Sequence, residues 1–228
     1  MATVKKQAKK NETKTQILLV DDHPVVRDGL TAIINHQRDL NVCGGADDAH
    51  HALKAISELK PDIVVVDISL KNSDGIELTK SIKAQYPKLR VLVLSVHDES
   101  IYAERALRAG ARAYLMKEVV SENIVNAIRT VLKGEIYVSN TISKKFLQEI
   151  AGDKAATIKT PVENLSDREF EIFLLIGEGY KASQIAKRLH LSVKTIETYR
   201  ARLKEKLNLA DANELLQYSI KWAKNKDK

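Results

Sequence analysis

The chain has 228 residues, 44% apolar and 29% charged, the composition of an ordinary soluble globular protein of one or two domains. Its one cysteine, Cys43, excludes an intramolecular disulfide and any cysteine-based metal cluster, fits a reducing cytoplasm, and reads as a small buried hydrophobe. The net charge of +7 is unevenly spread: residues 1–15 carry +4, residues 16–164 carry −1 and residues 165–228 carry +4, so the C-terminal part is expected to meet an anionic partner such as nucleic acid.

Residues 1–15 hold five lysines with no apolar stretch behind them, which reads as a disordered basic tail rather than a secretory signal. No apolar run approaches the ~20 residues of a membrane span, and no membrane partner is expected. From Gln16 onward, short apolar runs alternate with segments of helical spacing. The strand-like runs are 17–20, 41–46, 63–66, 91–96 and 113–116, and the helical segments lie near 25–35, 49–59, 75–85, 99–109 and 121–133. Pro61 and Pro87 stand just before the third and fourth strands, where a helix must have ended, while Gly110 and Gly134 follow helices as C′ residues do. The pattern is (βα)5, a doubly wound parallel α/β sheet with expected strand order 2-1-3-4-5.

After Gly134 one short helix is expected near 141–150, and 151–164 reads as a flexible linker. A second, all-α unit of four helices follows, at about 167–177, 182–189, 193–207 and 212–223. Ser166 and Glu169 form a capping box, Leu165 and Phe170 the flanking hydrophobic staple, and the glycines at 177 and 179 separate the first two helices.

The chemistry gathers at the strand ends. Strand one ends in Asp21-Asp22, strand three in Asp67, strand four in Ser95 and strand five in Lys117. Taken alone, each is an ordinary polar surface residue. In the expected strand order these ends are neighbours, where open parallel sheets bind ligands. Three clustered carboxylates repel one another and call for a hard divalent cation, and Mg²⁺ takes oxygen ligands. A lysine and a hydroxyl beside them suit phosphoryl oxygens, so the set fits an aspartyl phosphate on Asp67, with Lys117 and Ser95 holding the phosphoryl group.

The stretches DDHPVVRDGL, VVVDISLKNSDGIEL, VLVLSVHDE and GARAYLMKE resemble the receiver domain of two-component response regulators over about residues 16–134. The resemblance implies Asp67 as phosphoacceptor, a sensor histidine kinase as donor, and Mg²⁺ held by Asp21, Asp22, Asp67 and the Ser69 carbonyl. It implies Ser95 as the switch hydroxyl and Tyr114 as the aromatic that turns inward with it. It also implies that the residues two beyond Asp67 and two beyond Ser95, here Ser69 and His97, influence water access, so His97 is expected to affect loss of the phosphoryl group. Two positions depart from the pattern: Lys71 replaces the usual proline four residues after Asp67, and Glu118 replaces the one after Lys117. His50 and His51 read as surface residues with no paired ligand.

Residues 165–220 resemble the helix-turn-helix domain of the LuxR/FixJ/NarL type. In the segment 192–207, Val193, Ile196, Tyr199, Leu203 and Leu207 recur at helical spacing and are expected to form the buried stripe. The opposite face and its flanks then present Lys194, Thr195, Glu197, Thr198, Arg200, Ala201 and Arg202 to double-stranded DNA. Lys194, Thr195 and Arg200 are expected on phosphates, with Glu197, Thr198 and Ala201 on bases. KASQIA lacks the usual Ser or Thr cap of the second helix, and the last helix is the family's dimer contact. The expected whole is a cytoplasmic response regulator: a tail to residue 15, a receiver at 16–134, a linker at 135–164, a DNA-binding unit at 165–223 and a tail at 224–228, acting as a phosphorylation-promoted homodimer. The rivals are a phosphorylation-independent DNA-binding regulator and an Asp-nucleophile phosphohydrolase, the latter weakened because Ser69 stands where a general acid is needed.

Overall fold

In the computed structural model, residues 14–70, 73–151 and 161–224 are described. Five parallel strands, β1 (Thr15–Val20), β2 (Leu40–Ala46), β3 (Ile63–Asp67), β4 (Arg90–Ser95) and β5 (Ala113–Met116), form one sheet in the order β2-β1-β3-β4-β5. The apolar run of β3 is buried along its whole length because helices cover both sides of a parallel sheet. The helices are α1 (Pro24–Asn35), α2 (Ala49–Leu59), α3 (Gly75–Gln85), α4 (Glu99–Arg108) and α5 (Val120–Leu132). Aspartates 48, 74 and 98 cap α2, α3 and α4 by accepting backbone amides of the first turn. Gly110 and Gly134 have φ of +104° and +91°, which a residue with a Cβ adopts at a cost.

Ile17, Leu19, Val65 and Leu92 pack against α1 and α5 on one face of the sheet. Leu18, Val64, Val66 and Val93 pack toward α2, α3 and α4 on the other. Cys43 is half-buried rather than buried, its thiol directed at the Ile17 carbonyl 3.4 Å away. Burial pushes that thiol above its ordinary pKa.

The segment after Gly134 does more than link. Tyr137 donates its amide to the Arg112 carbonyl at 2.9 Å and accepts the Tyr114 amide at 3.0 Å. It thereby pairs with the free edge of β5, which would otherwise present open hydrogen-bonding groups. Helix α6 (Asn140–Ile150) follows, close to the expected position. Its cap, Ser139, accepts the Ile142 amide at 3.2 Å and donates to Glu99 Oε1 at 2.6 Å, tying α6 to the start of α4.

Residues 152–160 of the expected linker lie outside the described residues. Its end is ordered: Pro161–Asn164 form a 3-10 turn whose Val162 is buried. The C-terminal helices are α7 (Asp167–Gly177), α8 (Ala182–Arg188), α9 (Val193–Leu207) and α10 (Ala212–Lys224). The capping box at α7 is complete, with Ser166 Oγ accepting the Glu169 amide at 3.3 Å and Glu169 Oε2 accepting the Ser166 amide at 2.8 Å. At α8 only half of one exists: Lys181 has no acceptor to offer, and Gln184 Oε1 accepts the Lys181 amide at 2.8 Å. Gly177 does not break α7 but ends it against α10, where a Cβ would meet the Ser219 carbonyl oxygen at 2.8 Å. Tyr102 on α4 and Phe170 on α7 bring the two units together, ring centroids 5.6 Å apart.

Candidate functional site

The carboxyl ends of β1, β3, β4 and β5 converge. Strand register sets Asp67 beside Leu94 and Ser95 beside Met116, so the residues that follow emerge at one edge. Asp21, Asp67 and Ser95 are buried, and Asp22 and Lys117 half-buried. Lys117 Nζ lies 2.7 Å from Asp21 Oδ2 and 2.8 Å from Asp67 Oδ2, bridging the two carboxylates. Burial works against the Lys117 ammonium, but the two carboxylates outweigh it and hold its pKa above the ordinary value. Burial dominates at Asp67 and raises its carboxyl, against the pull of Lys117.

The loop after Asp67 is folded hard back on it. Gly75 donates its amide to the Ile68 carbonyl at 2.9 Å. A Cβ on Gly75 would stand 2.0 Å from the Asp67 carbonyl oxygen, so only glycine permits this approach. Lys71 lies outside the described residues.

The acidic cluster fits a hard cation. Asp22 Oδ1 and both Asp67 carboxylate oxygens are buried and accept no well-directed hydrogen bond, despite the close cation on Asp67 Oδ2. Ligand atoms of Asp21, Asp22, His23 and Asp67 all lie within 4.8 Å of one another. Buried carboxylate oxygens so poor in directed donors are costly unless a cation or donor satisfies them, and here only the Lys117 ammonium on Asp67 Oδ2 and the His23 ring on Asp22 Oδ1 stand close among the described residues. His23 is a neighbour that the sequence reading did not single out. Its amide donates to Asp21 Oδ1 at 2.8 Å and its Nδ1 lies 2.8 Å from Asp22 Oδ1. A second group, Asp47, Asp48 and His51, corrects the reading of His51 as unpaired: Nδ1 is 3.0 Å from Asp47 Oδ1 and 3.2 Å from Asp48 Oδ2. That group is mostly exposed, and Asp48 is committed to capping α2.

Ser95 Oγ accepts the His97 amide at 2.8 Å. Tyr114 is already inside: its ring is buried and its hydroxyl donates to the His97 carbonyl at 2.8 Å. Burial raises the Tyr114 pKa above the ordinary phenol value, so the hydroxyl is a donor at any working pH. Ser69 Oγ and His97 Nε2 share a hydrogen bond at 2.9 Å, which joins the two positions expected to govern water access.

In the C-terminal unit α9 is amphipathic, with one correction. Ile196, Leu203 and Leu207 are buried and Tyr199 half-buried, but Val193 is 47% exposed. Val193 is the first residue of α9 and stands at the edge of the core, while Ile196 one turn on is fully buried. Ser192 caps the helix by accepting the Thr195 amide at 3.0 Å, and its hydroxyl also meets Thr195 Oγ1 at 2.8 Å. Lys194, Glu197, Thr198, Ala201 and Arg202 are exposed. Thr198 Oγ1 donates back to the Lys194 carbonyl at 3.0 Å. Arg200 is half-buried and pairs with Glu197 at 3.1 Å, so this cation and this carboxylate are each other's partners on the free helix. Ser192, Lys194, Thr195, Thr198, Tyr199 and Arg202 line a shallow hollow on this face.

No helix among the described residues is long and apolar enough to cross a membrane. Residues 17–129 match the family of response regulator receiver domains, and residues 163–219 match the bacterial regulatory proteins of the luxR family. The chain is 36% identical over 210 residues to the oxygen regulatory protein NreC of Staphylococcus aureus, covering 90% of this chain and 97% of that one. It is 27% identical to the RcsB response regulator of Salmonella typhimurium, with 90% and 97% of the two chains covered and a TM-score of 0.54. The two-component response regulator RcsB in complex with DNA is 25% identical, with 90% and 98% covered and a TM-score of 0.55. A receiver sheet, a luxR-type helical unit and a full-length relative in the same order establish that the chain belongs to the NarL/FixJ family of two-component response regulators.

Proposed function

We propose that Asp67 accepts a phosphoryl group from a sensor histidine kinase in the cytoplasm, and that this controls promoter binding by α9 and so transcription. The observation that carries the reading is the bridge of Lys117 between Asp21 and Asp67, beside carboxylate oxygens that lack a directed hydrogen bond. An Asp67 oxygen attacks the donor phosphorus; the new O–P bond forms as the bond from phosphorus to the donor nitrogen breaks, and the donor keeps that electron pair. Asp21, Asp22, Asp67 and the Ser69 carbonyl would hold Mg²⁺, which when bound offsets the charge of the phosphoryl oxygens. Lys117 passes its ammonium from Asp67 to a phosphoryl oxygen, and the Ser95 hydroxyl donates to another. With Tyr114 inward beforehand, Ser95 and the His97 backbone are the parts left to move.

On the DNA side, Lys194, Thr195, Arg200 and Arg202 serve phosphates, while Glu197, Thr198 and Ala201 face base edges. The RcsB–DNA complex supports this assignment by likeness of fold. Two copies meeting through α10 on inverted half-sites follow the symmetry of such regulators. The test is intact mass after incubation with acetyl phosphate and Mg²⁺. One phosphoryl adduct on the native chain and none on Asp67→Asn supports the reading. Adducts on both would move the site elsewhere.

A further inference from the structure

His97 touches Ser69, Ser95 and Tyr114 around the phosphoacceptor, and it also touches the DNA-binding unit. Its amide is held by Ser95 Oγ, its carbonyl by the Tyr114 hydroxyl and its Nε2 by Ser69 Oγ. The same Nε2 lies 3.6 Å from Glu171 Oε1 on α7, within electrostatic reach though too long for a direct hydrogen bond. The ring stacks on Tyr102 with centroids 4.8 Å apart, and Tyr102 in turn packs on Phe170. Arg105 completes the contact: its guanidinium lies 4.4 Å over the Phe170 ring and donates to the Leu165 carbonyl.

Glu171 is buried, and a buried carboxylate needs its partners. Among the described residues it has two, Arg168 in its own helix and His97 across the interface. Burial pushes the Glu171 carboxyl up, while the His97 ring and the Arg168 guanidinium outweigh that and keep it below the usual glutamate range. The contact is made through α7 and Leu165, and it leaves Lys194, Glu197, Thr198 and Arg202 of α9 exposed.

We propose that His97 is a latch: it docks α7 on α4 through Glu171 and Tyr102 while Asp67 is free, and lets go when Ser95 turns to the phosphoryl group. When Ser95 Oγ leaves the His97 amide, the β4–α4 loop loses one of its three anchors and the ring is withdrawn from Glu171 and Tyr102. Docking through this latch holds α7 in a fixed orientation on the receiver. Release frees the unit to turn toward a second copy.

The inference rests on Asp67 as phosphoacceptor, so its test reads docking and phosphorylation separately. Amide hydrogen exchange of α4 and α7 is followed on the full chain with and without acetyl phosphate and Mg²⁺, with intact mass on the same samples. In the native chain both helices are protected and become at least tenfold faster-exchanging on phosphorylation. Glu171→Gln takes up the phosphoryl group as the native chain does but exchanges fast from the start. His97→Ala is open from the start as well, and the double variant opens no further than either single one. Protected α7 in both single variants, or additive effects of the two, overturns the latch. An adduct on the native chain with no change in exchange overturns the coupling while leaving Asp67 intact as acceptor. Native chain without an adduct counts against Asp67, and single variants that still open then uphold the docking.

Discussion

Lys117 Nζ stands 2.8 Å from Asp67 Oδ2 and 2.7 Å from Asp21 Oδ2, so one ammonium is shared by the two most deeply buried carboxylates of the site and offsets half of their charge. It therefore competes with a divalent cation for the same charge. Lys117→Met is expected to bind Mg²⁺ several-fold more tightly, seen as a larger thermal shift on adding the ion. The same variant takes up the phosphoryl group roughly 10²-fold more slowly, the loss typical of removing one well-placed donor. Equal Mg²⁺ affinity in the two proteins would contradict the competition.

Gly75 and Gly29 make a matched pair. Adding a methyl at Gly75 drives a carbon into the Asp67 carbonyl, whereas at Gly29, in the exposed middle of α1, nothing lies within 4 Å. Gly75→Ala is expected to cost about 2 kcal/mol or more and to lower phosphoryl uptake, because the loop must shift under Asp67. Gly29→Ala should stabilise by about 0.5–1 kcal/mol through helix propensity and leave uptake alone. Denaturant unfolding with acetyl phosphate labelling reads both.

Glu169 links pH to the stability of the C-terminal unit. Burial alone would raise its carboxyl, but the Lys206 ammonium at 2.7 Å and the Ser166 amide bring it below the ordinary value. A depressed pKa means that the carboxylate stabilises the fold above its unfolded pKa, and that this stability is lost as pH falls through the folded value. Glu169→Gln should flatten the acid side of the profile and cost about 1–2 kcal/mol at neutral pH. Trp222, the chain's one tryptophan, packs on Phe170 and Phe173 and reports the unfolding by fluorescence.

Neighbouring positions on α9 should separate folding from DNA contact. Ile196→Ala, at a fully buried site, is expected to destabilise by about 2–5 kcal/mol. Val193→Ala, at an exposed site, should stay within about 0.5 kcal/mol. Lys194→Ala should leave folding untouched and reduce the slope of log affinity against log salt by about one. Thermal melts and salt titrations with duplex DNA distinguish the three.

The alternation of strands and helices was legible because the central parallel strands must be mostly apolar and each helix must show a 3.6-residue stripe. Strand order followed from topology, and with it the convergence of Asp21, Asp67, Ser95 and Lys117 at one edge. What stayed hidden lacks periodicity. Val162 is one apolar residue in a polar stretch, and the pairing of Tyr137 with β5 is too short to register as a strand. Val193 kept the helical spacing but stands at the first position of α9, at the edge of the core. His97 and Glu171 are joined only by the docking of one unit on the other, which no local pattern encodes.

The docked arrangement leaves the cationic side of α9, with Lys194 and Arg202, open to solvent. An unphosphorylated chain would then still adhere loosely to any duplex through phosphates and could slide along it. Search and decision would be separated in time, with the molecule on DNA before a signal arrives. The delay of the response would then be set by phosphoryl transfer and pairing of two copies already on DNA, not by diffusion to a promoter.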